Sequence, residues 1–273
     1  MILMLRCPLA RLLPVLVLAL FAGPVALEAA PVDKGLATEP YDPSARFRAV
    51  HIDTLDPLLQ PIFERARIEW LKVLAAHHIT DGRGFFLELD RHTLITLRSF
   101  DSFTEYDALR DFRARVDERI GDGGKARQQY DSADVALRTP HNSEVWSRES
   151  DLDFRGVDNN VNEYTAGYMQ MIVEHVDSDE YESASKEIDA ALKAANYPLS
   201  RIAFFSALGS GNRISLWLAA TRKAFDDAGT PLASVEKVLG RGKAQALFAR
   251  RKNATSGLTV HELVPRPELR SPD

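Results

Sequence analysis

The sequence predicts an α+β protein made of two tandem ferredoxin-like βαββαβ repeats packed sheet to sheet, and three observations carry that reading. The first is internal repetition. At a constant offset Ala75-Ala76, Phe85-Phe86 and Leu89 meet Ala194-Ala195, Phe204-Phe205 and Leu208, and Ile95, Leu97, Asp107, Val116 and Gly121 meet Ile214, Leu216, Asp226, Val235 and Gly240. After a one-residue slip Gly124-Lys125-Ala126 matches Gly242-Lys243-Ala244 and Glu144 matches Glu262. Upstream, His51-Ile52-Asp53 falls on His175-Val176-Asp177 once the first helix is allowed a difference in length. The second observation is that strand-like and helix-like apolar spacing alternate in the same order in each half. The third is physical: a βαββαβ unit covers one face of its sheet with helices, so two copies hide their open faces by stacking them. With 273 residues, 45% of them hydrophobic, the chain is long enough to bury such a core.

In the first half, residues 47–52 read as a strand, and Pro57 in a first-turn position opens a helix whose apolar positions Leu59, Ile62, Phe63, Ala66, Trp70, Val73 and Leu74 follow helical spacing. Residues 85–89 and 94–97 form a hairpin. Ser102 and Glu105 make a capping box that starts one long helix presenting Phe103, Tyr106, Leu109, Phe112, Val116 and Ile120, and residues 136–146 supply the last strand. The second half repeats the order. A strand at 169–176 leads into a helix capped by Asp177 and Glu180, with Tyr181, Ala184, Ile188 and Leu192 inward, followed by strands at 202–208 and 214–218. Two further helices reach Leu239 and cover 242–251, and a strand at 258–264 closes the unit. Gly229-Thr230-Pro231 interrupts the helical run, with Thr230 recapping it and Pro231 in the first helical position. The organisation expected is a signal peptide at 1–30, a loose segment at 31–44, repeats at 45–146 and 167–265 joined by a polar linker at 147–166, and a loose tail at 266–273.

Arg6 and Arg11 precede an apolar run at 12–22, and small residues follow at Ala26, Ala29 and Ala30, the order of a secretory leader cleaved between Ala26 and Pro31. The run is short for a membrane span, so the expectation is a periplasmic or secreted protein with no membrane contact after cleavage. The single cysteine, Cys7, would leave with the leader, which excludes disulfides and thiolate chemistry from the mature chain. Loss of Arg6, Arg11 and Glu28 takes the formal charge from -5 to -6, so no nucleic-acid partner is expected. Neither a phosphate-binding glycine loop nor a Gly-x-Ser-x-Gly elbow occurs.

On this element order and duplication, residues 45–265 resemble the dimeric α/β barrels, the superfamily that includes the antibiotic-biosynthesis monooxygenase and NIPSNAP types, here in a tandem single-chain version. The stretch Leu137-Arg138-Thr139-Pro140-His141-Asn142-Ser143-Glu144-Val145-Trp146 resembles the last-strand segment of NIPSNAP-type chains. The resemblance implies a pseudo-dimeric α/β barrel that places a small molecule, or in some members haem, between sheet and helices or within the barrel. Several members work without a metal or an organic cofactor, and none is expected here. No catalytic role carries over.

The catalytic candidates are His51 with Asp53 and His175 with Asp177. Residues two apart on a strand share a face, so each pair can present an imidazole oriented by a carboxylate as a general base. The alternative is that the aspartates cap the following helices and the histidines are solvated strand-end residues. Ligand-binding candidates are Glu144 and Trp146, which share a face with Asn142, and His141, His261 and Glu262, since aromatic walls with a few polar groups suit small-ligand sites. His77, His78 and His92 read as surface residues, and no metal site is expected. The basic cluster Arg241, Lys243, Arg250, Arg251 and Lys252 reads as cations matched to a helix C-terminus. Three functions follow: an exported small-molecule-binding protein with no assigned reaction, a cofactor-independent monooxygenase-like enzyme, or a structural or partner-binding protein with a filled barrel. The chain would act as a monomeric pseudo-dimer or a homo-oligomer.

Overall fold

A computed structural model describes residues 41–271, apart from 55, 89–92, 122–123, 138–140, 158–160 and 177. The expected leader, Cys7, His92 and Asp177 lie outside the described residues. Eight strands form one closed antiparallel barrel: β1 (Phe47–Thr54), β2 (Gly84–Glu88), β3 (Thr93–Phe100), β4 (His141–Arg148), β5 (Tyr168–Val176), β6 (Ser200–Leu208), β7 (Arg213–Ala219) and β8 (Thr255–Pro265), in the order β1-β3-β2-β8-β5-β7-β6-β4. Within each half the order is the same, β4-β1-β3-β2 and β8-β5-β7-β6. The halves do more than stack: their edges pair, Phe86 to Glu88 of β2 with Pro265 to Leu263 of β8, and Trp146 to Arg148 of β4 with Ser206 to Phe204 of β6. Closure removes the sheet edges that two stacked sheets would leave unpaired.

Period-two alternation divides the strands between two cores. Val50, Ile95, Leu97, Met171, Leu216 and Leu263 point into the barrel, where Phe86, Trp146 and Phe204 fill the interior. The other parity faces the helices. In the first half Phe85 and Leu94 pack under α1 (Gln60–Ala76), and in the second half Tyr168, Trp217 and Ala219 pack under α5 (Glu180–Ala194). Tyr181, Ala184, Ile188 and Leu192 are the buried stripe of α5, as their spacing predicts. Among the described residues no helix is long and apolar enough to cross a membrane.

Several expectations are corrected. Helix α1 begins at Gln60, so Pro57 lies in the preceding turn and Pro61 is the first-turn proline. The single long helix after Ser102 breaks at Asp111 into α2 (Phe103–Arg110) and α3 (Phe112–Ile120). A further helix, α4 (Gly124–Leu137), takes residues 136–137 from the expected strand, which starts at His141. The capping box forms with a shift: Ser102 Oγ accepts from Glu105 N at 3.2 Å, while Glu105 Oε2 accepts from Asp101 N at 2.6 Å. In the second half α6 (Arg222–Ala228) stops at Gly229, and Thr230 caps α7 (Pro231–Leu239) by accepting from Ala233 N at 3.2 Å. Helix α8 (Arg241–Asn253) follows. The cap of α5 is at Asp179, with Ser178 Oγ accepting from Glu180 N.

The polar linker and the C-terminal segment pack against the rest of the described chain. Phe154 in the crossing segment exchanges two backbone hydrogen bonds with Arg201, and Glu163 is fully buried against Arg48 inside one end of the barrel. At the C-terminus Leu269 is fully buried in the core beneath α1, and Ser271 Oγ accepts from Asp81 N at 2.8 Å.

Candidate functional site

Each half holds a cavity between the outer face of its sheet and its helices. The first-half cavity, about 350 Å³, has walls of Trp70, Tyr106, Phe112 and Tyr130, but its floor and rim carry His51, Arg83, Arg98, Arg127, Asp131 and Asp134. The second-half cavity, about 460 Å³, is lined by Ile172, Ile188, Trp217, Phe225, Leu232 and Phe248, with Gln170, Tyr197, Arg201, Asp226, Thr230 and Arg251 as its polar groups. Gly229-Thr230-Pro231 forms part of its wall, where Gly229 adopts the left-handed φ of 66° that favours glycine.

The electrostatics of the two cavities differ. In the first, Arg83 grips Asp81 through Nε at 2.9 and 2.7 Å to its two oxygens, and Arg98 Nη2 stands 3.4 Å away. Arg67 Nη1 lies 2.9 Å from the same carboxylate, although neither of its terminal nitrogens is aligned for a hydrogen bond, so that contact is one of charge. Burial pushes the Asp81 carboxyl up, yet Arg83, Arg67 and Arg98 together hold it far below the usual carboxylate range. In the second cavity Arg201 is only 5% exposed, and its Nη2 donates to Leu152 O at 2.6 Å and Asp189 Oδ2 at 2.8 Å. Its guanidinium stands 5.3 Å over the Trp217 ring, and its Nε has no hydrogen-bond partner among the described residues. Burial pushes the Asp189 carboxyl up despite the Arg201 charge. Burial also pushes the Tyr197 phenol up to about 12, and its hydroxyl donates to Gly229 O at 2.9 Å.

The sequence candidates do not converge. His51 lines the first-half cavity, its Nδ1 2.9 Å from Ser143 Oγ, and Asp53 shares that outer face and is buried. His175 has the opposite parity, alternating with Met171 and Val173 toward the barrel interior, exposed at its end with Nδ1 3.2 Å from Asn212 Oδ1. The repeat alignment at this strand therefore equates residues on opposite faces, because β1 and β5 match with Phe47 at Tyr168, each at the outset of its pairing with β3 or β7. Glu144 and Trp146 lie within the barrel, where Glu144 accepts from Trp146 Nε1 at 2.8 Å, Ser206 Oγ at 2.9 Å and Asn142 Nδ2 at 3.3 Å. That network is internally satisfied and belongs to the core. His261 stands opposite Met171 on β8, whereas Glu262, on the other face, accepts from Arg222 Nη1 at 2.6 Å. His141 is the first residue of β4, opposite Asp53. His77 and His78 are exposed, as expected. Of the basic cluster, Arg250 pairs with Glu187, and Arg251 pairs with Glu174 while lining the second-half cavity.

Sequence reasoning missed Arg201, Tyr197 and Trp217. A signal was present: Arg201 is the one charged residue in the apolar run 200–208. Neither of the two cavities fits haem among its described residues. Haem iron needs an axial His, Cys, Met or Tyr. His51 lines only the smaller, charged cavity, while the described walls of the apolar one hold no His, Cys or Met and engage the Tyr197 hydroxyl with Gly229. Among the described residues no group of three or more His, Cys, Asp or Glu can hold a metal ion.

No family model matches the chain, and no curated protein matches it in sequence. Solved structures match it in fold. A monooxygenase-like protein from Fusobacterium nucleatum has 7% identity and a TM-score of 0.51 over 81% of this chain and 92% of that one. A monooxygenase-like protein from Lactobacillus acidophilus has 10% identity and a TM-score of 0.49 over 81% and 94%. A chlorite dismutase variant from Candidatus Nitrospira defluvii has 8% identity and a TM-score of 0.46 over 82% and 93%. At such identities the likeness is one of fold alone: a closed eight-stranded antiparallel barrel flanked by helices.

Proposed function

We propose that the chain is an exported small-molecule-binding protein built from tandem ferredoxin-like repeats, with its ligand seated in the second-half cavity. One observation carries this reading: an aromatic-walled chamber of about 460 Å³ with a few polar groups, the size and composition of small-ligand sites. The barrel interior is a poorer seat, since Phe86, Trp146 and Phe204 fill it. The shared strand order of the halves supports duplication, and the leader-like start of the sequence supports export. The barrel closes within one chain, which suits a monomeric pseudo-dimer.

The test is a fluorescence titration with the neutral dye N-phenyl-1-naphthylamine. The natural protein is expected to bind it. Leu232→Trp, which fills the chamber from α7, is expected to weaken binding by roughly tenfold or more, the loss of one to two well-packed contacts. Equal affinity in the two proteins would falsify the placement.

A second reading rests on the imidazole at the other cavity. His51, fixed by Ser143 beside Tyr106 and Arg98, has the makings of a general base for cofactor-independent oxidation. Replacing both His51 and His175 by alanine is expected to leave the fold intact, because neither side chain is in a core cluster. Oxygen uptake with an electron-rich phenol such as a naphthol should then vanish in His51→Ala and persist in His175→Ala; the enzyme reading is sunk if the natural protein takes up none.

A further inference from the structure

We propose that the ligand of the second-half cavity is an aromatic or alicyclic carboxylate whose head group is received by Arg201. This rests on the reading of that cavity as the ligand seat and adds the chemistry of what it takes.

Arg201 reaches the cavity from the helix-facing side of β6, 5% exposed, with its guanidinium 5.3 Å from the centre of the Trp217 ring. Its partners use one nitrogen only: Nη2 serves both the Leu152 carbonyl and a single oxygen of Asp189. Nε donates to nothing among the described residues, and Asp189 Oδ1 accepts from nothing there. A buried guanidinium N–H without an acceptor is costly, and a ligand oxygen relieves that cost.

The first half supplies an internal comparison. Arg83 precedes Gly84, opposite Leu97, as Arg201 precedes Ile202, opposite Leu216, so the two arginines hold matching positions on the ladder. Arg83 is saturated, its Nε shared by both oxygens of Asp81. Arg201 lacks that bidentate grip. The other cation of the cavity, Arg251, donates to Ser185, Glu174 and Tyr181, and the one acidic lining residue, Asp226, is engaged by Arg222. A planar carboxylate matches the guanidinium edge, and the apolar walls Ile172, Ile188, Phe225 and Phe248 take a flat hydrocarbon body.

The experiment displaces bound N-phenyl-1-naphthylamine with 2-naphthoate and with its methyl ester, in the natural protein and in Arg201→Met. In the natural protein the acid is expected to compete roughly tenfold more tightly than the ester, the worth of a charge-assisted hydrogen bond. In Arg201→Met the preference, read as the ratio of acid to ester affinity in the same variant, should disappear. Equal competition by acid and ester, or a preference that survives Arg201→Met, overturns the assignment. Should the variant fail to fold, the comparison in the natural protein alone decides. A natural protein that binds no dye fails the cavity reading itself, a result distinct from dye binding without preference for the acid.

Discussion

Asp81→Asn is expected to destabilise the protein by about 3–5 kcal/mol, the usual consequence of stripping a buried charge cluster of its counter-ion. Asp81 is fully buried and faces Arg67, which is also fully buried, and Arg83 and Arg98, which are 13% and 17% exposed. Removing that carboxylate takes away the partner that Arg67 and Arg83 share against Phe85 and Tyr130. The measurement is urea unfolding at neutral pH, where a loss under 1 kcal/mol would show that the arginines find other partners. The pH dependence follows from the direction of the shift. Because the folded carboxyl titrates far below its unfolded value, its contribution is present above about pH 4 and drains away as pH falls further. The natural protein should show that acid limb, and Asp81→Asn should lack this component.

Glu163→Ala should have a comparable effect, about 3–5 kcal/mol, at the opposite side of the first-half sheet. Here Arg48, fully buried inside the barrel end, donates through Nε to Glu163 at 3.1 Å and through its terminal nitrogens to the carbonyls of Pro43, Ala45 and Phe47. Those carbonyls remain in the variant, but no carboxylate is left to balance the charge. Tyr41, which stacks on Tyr164 at 4.8 Å, is tied to the same centre through Arg48. The variant should therefore also lose amide-exchange protection at residues 45–48, where an unchanged pattern would mean that the ion pair does not hold the segment down.

The strands were legible because apolar residues at period two leave little choice of face. Ile214, Leu216 and Leu218 point into the barrel and all are nearly inaccessible, and their first-half counterparts Ile95 and Leu97 follow them. The break at Gly229 was equally legible, because Thr-Pro after glycine recaps a helix by local chemistry alone. Helix α4 was obscure for the opposite reason. Its residues are mostly polar and, among its described aromatic and aliphatic side chains, only Tyr130 is buried, so it shows no apolar stripe, although the match of Gly124-Lys125-Ala126 to the start of α8 pointed to it. The histidine pairs failed because a strand alignment wrong by an odd number of residues exchanges faces. The same parity error equates Phe85 with Phe204, whereas Phe86 and Phe204 are the matching interior residues, opposite Ile95 and Ile214. Arg201 stood in plain view in its strand, but whether a buried arginine is saturated depends on contacts from Leu152 and Asp189, which no local pattern reveals.

In a barrel assembled from two identical subunits, every substitution appears twice and the two chambers stay the same. Joining the halves in one polypeptide lifts that restriction, and the ladder shows it used: where the second half has Trp217 under its arginine, the first has Arg98, whose added charge binds to Asp81. One chamber is lined by an ionic cluster, and in the other Arg201 Nε has no hydrogen-bond partner among the described residues. If the proposed carboxylate seat is right, uptake is expected to saturate at one equivalent per polypeptide, where two like chambers would take two.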